Sequence, residues 1–225
     1  MKILAIETAG AFCSAALLIN DEAQQRLENA PRRHADLILG MVDELLQEAG
    51  IRLPEVDAIA YGRGPGSFTG VRIAAAVVQG LAFGAGRPVV GISTLAATAH
   101  AASRQTQHRD FACALDARMG EVYWGCFRTE MKSASVPVGD ELVVSPEQAP
   151  ALDGSGWCAV GDGWKSYPAL VEGRASQLRD MQTAIRAEAR DVASLAAQQY
   201  QPLSVNAREA LPVYLRNRVA QVPRR

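Results

Sequence analysis

Apolar positions at the start of the chain fall in short runs, at residues 2–6 and 14–19, followed by a more polar run at 23–28. Asn20-Asp21 between the last two predicts a hairpin, so three antiparallel strands open the chain. After Pro31 the period changes. Ile38, Val42, Leu45 and Ala49 recur at helical spacing with Asp43, Glu44, Gln47 and Glu48 between them, and Gly50 stands where a helix should stop. Residues 58–62 read as a buried strand, 64–70 as a glycine-rich loop, 71–84 as a second helix and 89–92 as a fifth strand. The order β-β-β-α-β-α-β predicts an α/β fold with a mixed sheet and helices packed on it.

From 103 to 110 the chain turns polar (SRQTQHRD), the best place for a second lobe to begin. Strands are expected at 111–115 and 121–127, with a further apolar pair, Ala159-Val160, running into Gly161-Asp162-Gly163. Val192, Leu195, Ala196, Gln199 and Tyr200 follow helical spacing, and 211–215 read as an extended stretch before a basic tail of Arg216, Arg218, Arg224 and Arg225.

Composition narrows the function classes. With 225 residues, 48% of them hydrophobic, the chain can bury cores without staples. Lys and Arg total 23 against 24 Asp and Glu, a balance that excludes a strongly basic protein coating nucleic acid. The stretch 71–85 is interrupted by Arg72, Gln79, Gly80 and Gly84, so no membrane span is expected, and Glu7 falls inside what would be the apolar part of a signal peptide. A cytoplasmic location is the expectation. Cys13, Cys113, Cys126 and Cys158 are scattered and the histidines number three (His34, His100, His108), which predicts reduced thiols and no metal site.

The sharpest local motif is the segment from Gly64 to Arg72, GPGSFTGVR, between a strand and a helix. Gly64, Gly66, Ser67, Thr69 and Gly70 make a candidate anion or phosphate loop, since glycines let a ligand approach the backbone and a helix start offers free N–H groups. The same residues also suit a structural turn, and the spacing matches neither a P-loop nor a dinucleotide fingerprint. In the helix that follows, Ala76, Gly80 and Gly84 lie four apart and form a stripe open to close backbone approach. With His34, Leu37 and Met41 of the first helix, they form a candidate protein interface. Catalytic candidates are thin. Glu7 and Asp116 are isolated acids beside strands, Ser67 has no nucleophile elbow, His100 and His108 fall in the polar boundary, and Trp124, Trp157 and Trp164 read as core packing.

These segments carry a specific resemblance. LAIETA, PRRH, YGRGPGSFTGVRIA, GIST, LDARMGEVYW, GDGW and PVYLRN, spread from residue 4 to residue 217, resemble the TsaB family, also called YeaZ. Its members are bacterial partner proteins in making the threonylcarbamoyladenosine modification of tRNA. The resemblance implies the actin-like ATPase (ASKHA) fold: a first lobe over 1–102, to which 189–225 return, and a smaller second lobe over 103–188, each a mixed sheet flanked by helices. It implies a heterodimer with TsaD, which transfers the threonylcarbamoyl group to the adenosine next to the anticodon of tRNAs reading codons that begin with A. It further implies TsaE and TsaC as functional partners in the same process and tRNA met only through the complex, while the small-residue stripe of the second helix predicts that the chain alone self-associates as a homodimer.

TsaD-like proteins hold a metal with two histidines four apart, where this chain has Thr94 and Thr98, poor ligands for a transition metal. Ala117 and Arg118 replace the glycine pair that admits a phosphate in the second lobe, and the chain stops short of TsaD's adenosine-holding segments. The resemblance therefore implies no catalytic residue, no resident cofactor and at most weak ATP or ADP binding. The competing reading is an ATP-dependent enzyme of the same fold, a small-molecule kinase or peptidase; a third, direct tRNA binding, rests on the basic tail.

Overall fold

A computed structural model describes residues 1–129 and 134–216. The opening strands are β1 (Lys2–Glu7), β2 (Phe12–Ile19) and β3 (Glu22–Asn29), followed by α1 (His34–Glu48), β4 (Ala58–Gly64), α2 (Phe68–Ala85), β5 (Val89–Ser93) and α3 (Thr94–Gln105). Then come β6 (Asp110–Arg118), β7 (Glu121–Arg128), β8 (Val136–Pro137), β9 (Leu142–Val144), β10 (Trp157–Val160), α4 (Gly163–Ser166), α5 (Pro168–Glu172) and β11 (Leu178–Gln182). The chain ends in α6 (Ala189–Gln198), α7 (Tyr200–Leu203) and β12 (Ser204–Val205).

Two mixed sheets result, in the orders β12-β5-β4-β1-β2-β3 and β11-β10-β6-β7-β8, with β9 also on β7. In the first, β1 runs antiparallel to β2 and parallel to β4. Asn20 and Asp21 take φ of 50° and 69°, the left-handed pair that lets β2 turn directly into β3. Alternation along β1 sends Leu4 and Ile6 to a core shared with α1 and α2, and Ile3 and Ala5 to one shared with α6. The second sheet likewise separates Phe111, Cys113 and Val160 from Ala112, Trp124, Trp157 and Trp164. All three tryptophans are core, as expected; Trp164 Nε1 donates to Ala112 O (2.9 Å). These two helix-flanked sheets are the architecture implied by the actin-like resemblance.

Some expectations are corrected. Residues 94–105 form a helix that hydrophobic spacing did not reveal. Eight of its twelve residues are buried, because α3 lies between the two sheets and against α6 and needs small side chains on nearly every face. His100 is consequently buried on this helix, bonded through Nε2 to Ser194 Oγ (3.0 Å), rather than placed in a polar linker. Residues 211–215, read as an extended stretch, run outside any helix or strand and are tied to β4, where Val213 N donates to Arg63 O (2.8 Å) and Tyr61 OH donates to Leu211 O (2.9 Å). The expectation of no membrane span is not overturned by α2, which reaches the length and composition of a span, with mean hydropathy 1.4 over its 18 residues, as helices packed in a core also do. Its inner positions Ala74, Ala75, Val78 and Ala82 sit in the first sheet's core. Arg218, Arg224 and Arg225 of the basic tail lie outside the described residues.

Candidate functional site: an inter-sheet cleft and the outer face of α2

A cleft of about 790 Å³ opens between the sheets, with Glu7, Ala9, Gly66, Ser67 and Thr94 on one wall and Leu115, Asp116, Ala117, Arg118 and Tyr123 on the other. Glu7 ends β1 and is buried. Its Oε1 accepts from Ala9 N (2.6 Å) and its Oε2 from Thr94 Oγ1 (3.2 Å). Burial, reinforced by the charge of Asp191, raises its pKa to about 7 against these hydrogen bonds. Thr98 Oγ1 donates to Thr94 O (2.8 Å), so both hydroxyls at the positions the resemblance compares with metal-binding histidines are already engaged. Across the cleft, Asp116 accepts from Arg118 N (2.7 Å), Arg118 Nη1 (2.9 Å) and Tyr167 OH (2.9 Å), which uses the carboxylate to hold the β6–β7 turn. Arg118 itself sits at φ 61°, a side-chain-bearing residue in a turn that glycine would favour.

The glycine-rich segment is explained by packing. A Cβ on Gly70 would collide with Thr8 O, and one on Gly66 would come within 2.7 Å of both Ala9 Cβ and Ala9 O, so both glycines let the start of α2 press against the β1–β2 turn. Thr8 Oγ1 donates to Gly70 O (2.8 Å), Ser67 N donates to Ala9 O (2.7 Å), and the Ser67 hydroxyl caps α2 by accepting from Gly70 N (3.4 Å). Of the five loop candidates, Gly66 and Ser67 line the cleft, Gly70 is buried in this contact, Gly64 is buried beside Val71 and the Val213 carbonyl, and Thr69 is exposed. Gly70→Ala is expected to destabilise the fold by on the order of 3 kcal/mol, since the obstacle is backbone and cannot swing away. For a chain of this size that is a drop of roughly 10 °C in Tm, checked by thermal melting.

The second feature is on α2's far side. Arg72, Ala76, Gly80 and Gly84 are all exposed, and a Cβ at Gly80 or Gly84 would meet nothing within 4 Å. Phe83 beside them is 74% exposed, while Val77 and Leu81 are half-buried. At the head of the stripe the Arg72 guanidinium lies 3.5 Å from the Phe68 ring centroid, and its Nε donates to Tyr214 OH (2.8 Å). The α1 residues of the candidate interface are less accessible than the α2 stripe. Met41 is buried in the lobe's own core, His34 is buried and lines the cleft, and Leu37 is half-buried against the core; the large exposed apolar residue of α1 is Leu39. Sequence reading missed Phe83 and the Phe68-Arg72-Tyr214 stack, which joins residues about 140 positions apart.

Comparison with known proteins bears on both features. A family model described as TsaD, tRNA N6-adenosine threonylcarbamoyltransferase, matches residues 26–162. The tRNA threonylcarbamoyladenosine biosynthesis protein TsaB of Escherichia coli (strain K12) is 41% identical, over 98% of this chain and 96% of its own. This chain belongs to the TsaB family. The Haemophilus influenzae TsaB is 40% identical over 97% of this chain and 95% of its own length. A solved structure titled YeaZ from Pseudomonas aeruginosa superposes with a TM-score of 0.88 at 43% identity, covering 95% of this chain and 99% of that one. Membership therefore spans both sheets, and with them the cleft and the α2 face.

Proposed function

We propose that this chain acts in tRNA threonylcarbamoyladenosine biosynthesis as the non-catalytic partner of TsaD, docking through the outer face of α2 and holding TsaD in its competent state. The observation that carries the reading is the small-residue stripe Ala76-Gly80-Gly84 beside exposed Phe83, a surface on which another helix can pack at short range. Isolated chains pair through the same face as a homodimer, and TsaD competes for it. TsaE and TsaC are functional partners, tRNA is met through the complex, and the setting is the cytoplasm. A bound scaffold can promote a reaction only by preferring one state of its partner, so this chain must bind competent TsaD more tightly than idle TsaD. Co-purification with TsaD from the same organism, followed by a modification assay with and without this chain, tests the reading; full modification in its absence overturns it.

The arrangement of the cleft supports a limited role for nucleotide. Glu7, Asp116 and the two threonine hydroxyls are committed to internal hydrogen bonds, and Arg118 occupies the turn opposite. Millimolar ATP alone is expected to move the Tm by no more than about 1 °C, the effect of a ligand near its own Kd. A rise of several degrees in a thermal shift assay would favour the ATP-dependent enzyme.

A further inference from the structure

Away from the cleft, three ligand-bearing side chains converge at the β10–β11 edge of the second sheet: His108, Cys158 and Asp180, whose donor atoms all lie within 4.8 Å of one another. The geometry points to a binding site for one divalent ion of borderline softness, such as zinc, held by the His108 imidazole, the Cys158 thiolate and the Asp180 carboxylate. Imidazole, thiolate and carboxylate form a donor set that suits zinc or cobalt far better than magnesium or calcium.

The backbone explains the convergence. Cys158 on β10 and Asp180 on β11 are partners in a parallel pair, which puts their side chains on one face, and His108 stands just before β6, the strand on the other side of β10. The register decides the chemistry. Trp157 pairs with Leu178, so regular pairing would set Arg179 opposite Cys158; an irregularity between Trp157 and Cys158 skips Arg179 and places Asp180 there. A carboxylate replaces a guanidinium beside the thiol. The turn before β6 is braced as well, with Thr106 Oγ1 donating to Ala102 O (2.9 Å) and accepting from His108 N (3.4 Å).

Asp180 Oδ2 already lies 3.1 Å from His108 Nε2, close to the about 3.4 Å that separates two ligands on a tetrahedral zinc. The separations from the sulfur to the nitrogen and oxygen, at most 4.8 Å, must close to about 3.5 Å to complete the set. Cys158 is fully buried, whereas the His108 and Asp180 side chains are 21% and 36% exposed, so the ion enters from their side and water takes the remaining position. Binding releases the Cys158 thiol proton to solvent and forms the metal–sulfur bond in its place. The ion then clips the α3–β6 connection to the edge of the sheet.

The test uses the full chain, reduced and stripped with a chelator, then titrated with cobalt(II). One equivalent should produce a thiolate-to-cobalt charge-transfer band in the near ultraviolet, displaced by zinc. Cys158→Ser should abolish the band, and His108→Ala and Asp180→Ala should each weaken binding tenfold or more, with circular dichroism confirming the fold. Absence of the band in the unmutated chain overturns the proposal, as does its survival in Cys158→Ser, which would place the metal at another thiol. Should Cys158→Ser fail to fold, the part-exposed His108→Ala decides, and unchanged cobalt affinity in that variant overturns the site.

Discussion

Gly80→Leu is expected to abolish both self-association and TsaD binding, and with them the modification activity of the reconstituted mixture, while leaving the isolated chain folded. The position separates these effects cleanly. A Cβ there touches nothing within 4 Å, so the larger side chain costs no internal contact. Replacing a mid-helix glycine with leucine favours the helix by roughly 0.8 kcal/mol, so the Tm should hold or rise. Within an interface the same side chain would hold two close-packed backbones apart, costing 2 kcal/mol or more, at least about a 30-fold loss of affinity. Sedimentation and pull-down against TsaD measure the association, and thermal melting measures the fold. Undiminished binding by the folded variant would remove the α2 face from the proposal.

A second large effect is expected at Glu7, in the opposite direction from that of a catalytic residue. Its carboxyl titrates near 7 in the folded chain against an ordinary 4.5, chiefly because it is buried. The unfolded chain therefore releases this proton first as pH rises. Stability contributed by the protonated group is complete below about pH 4.5, declines between 4.5 and 7, and stays lower above, a difference of roughly 3 kcal/mol. Asp191, raised to about 6 by burial, acts in the same sense, whereas buried His100, lowered to about 4, loses stability as pH falls through 6.5. These opposing contributions blunt the profile of the unmodified chain, so the informative quantity is the difference between it and Glu7→Gln. That difference should be near zero at pH 4.5 and grow to roughly 3 kcal/mol in favour of the variant at pH 8, read from denaturant unfolding at each pH. Modification activity with TsaD should fall only modestly in Glu7→Gln, and likewise in Asp116→Asn and Ser67→Ala. A loss of 100-fold or more in any of these, with fold and TsaD binding intact, is the size expected from removing a catalytic group and would favour the enzyme reading.

Much of the architecture was legible in the sequence because it is written in local periods. The runs of β1 and β2, the Asn20-Asp21 turn, the amphipathic stripe of α1 and the apolar body of α2 each follow from side-chain spacing along a few residues. Even the second face of α2 could be anticipated, since Ala76, Gly80 and Gly84 fall on one line of a helix whatever surrounds it. Helix α3 escaped because its environment, unlike theirs, is apolar on nearly all sides. A helix pressed between two sheets and α6 needs short side chains all round, and threonine, alanine and histidine then show no stripe.

Tertiary structure alone decided the rest, because the deciding distances join residues far apart in the chain. Met41 and His34 fell inward although their helix was correctly anticipated, since period alone could not say which apolar residues beside the stripe would be covered. Gly66 and Gly70 took their meaning from Thr8 and Ala9, some 60 residues away, whose backbone leaves no room for a Cβ. His108, Cys158 and Asp180 lie 50 and 22 residues apart in sequence, too far for any ligand-spacing pattern, and a one-residue slip in strand register puts the carboxylate rather than Arg179 beside the sulfur. Local spacing thus determined which elements form and that α2 carries a line of small residues on one face. Which side chains are buried, charged or brought into one another's reach was settled only when the two sheets closed around α3.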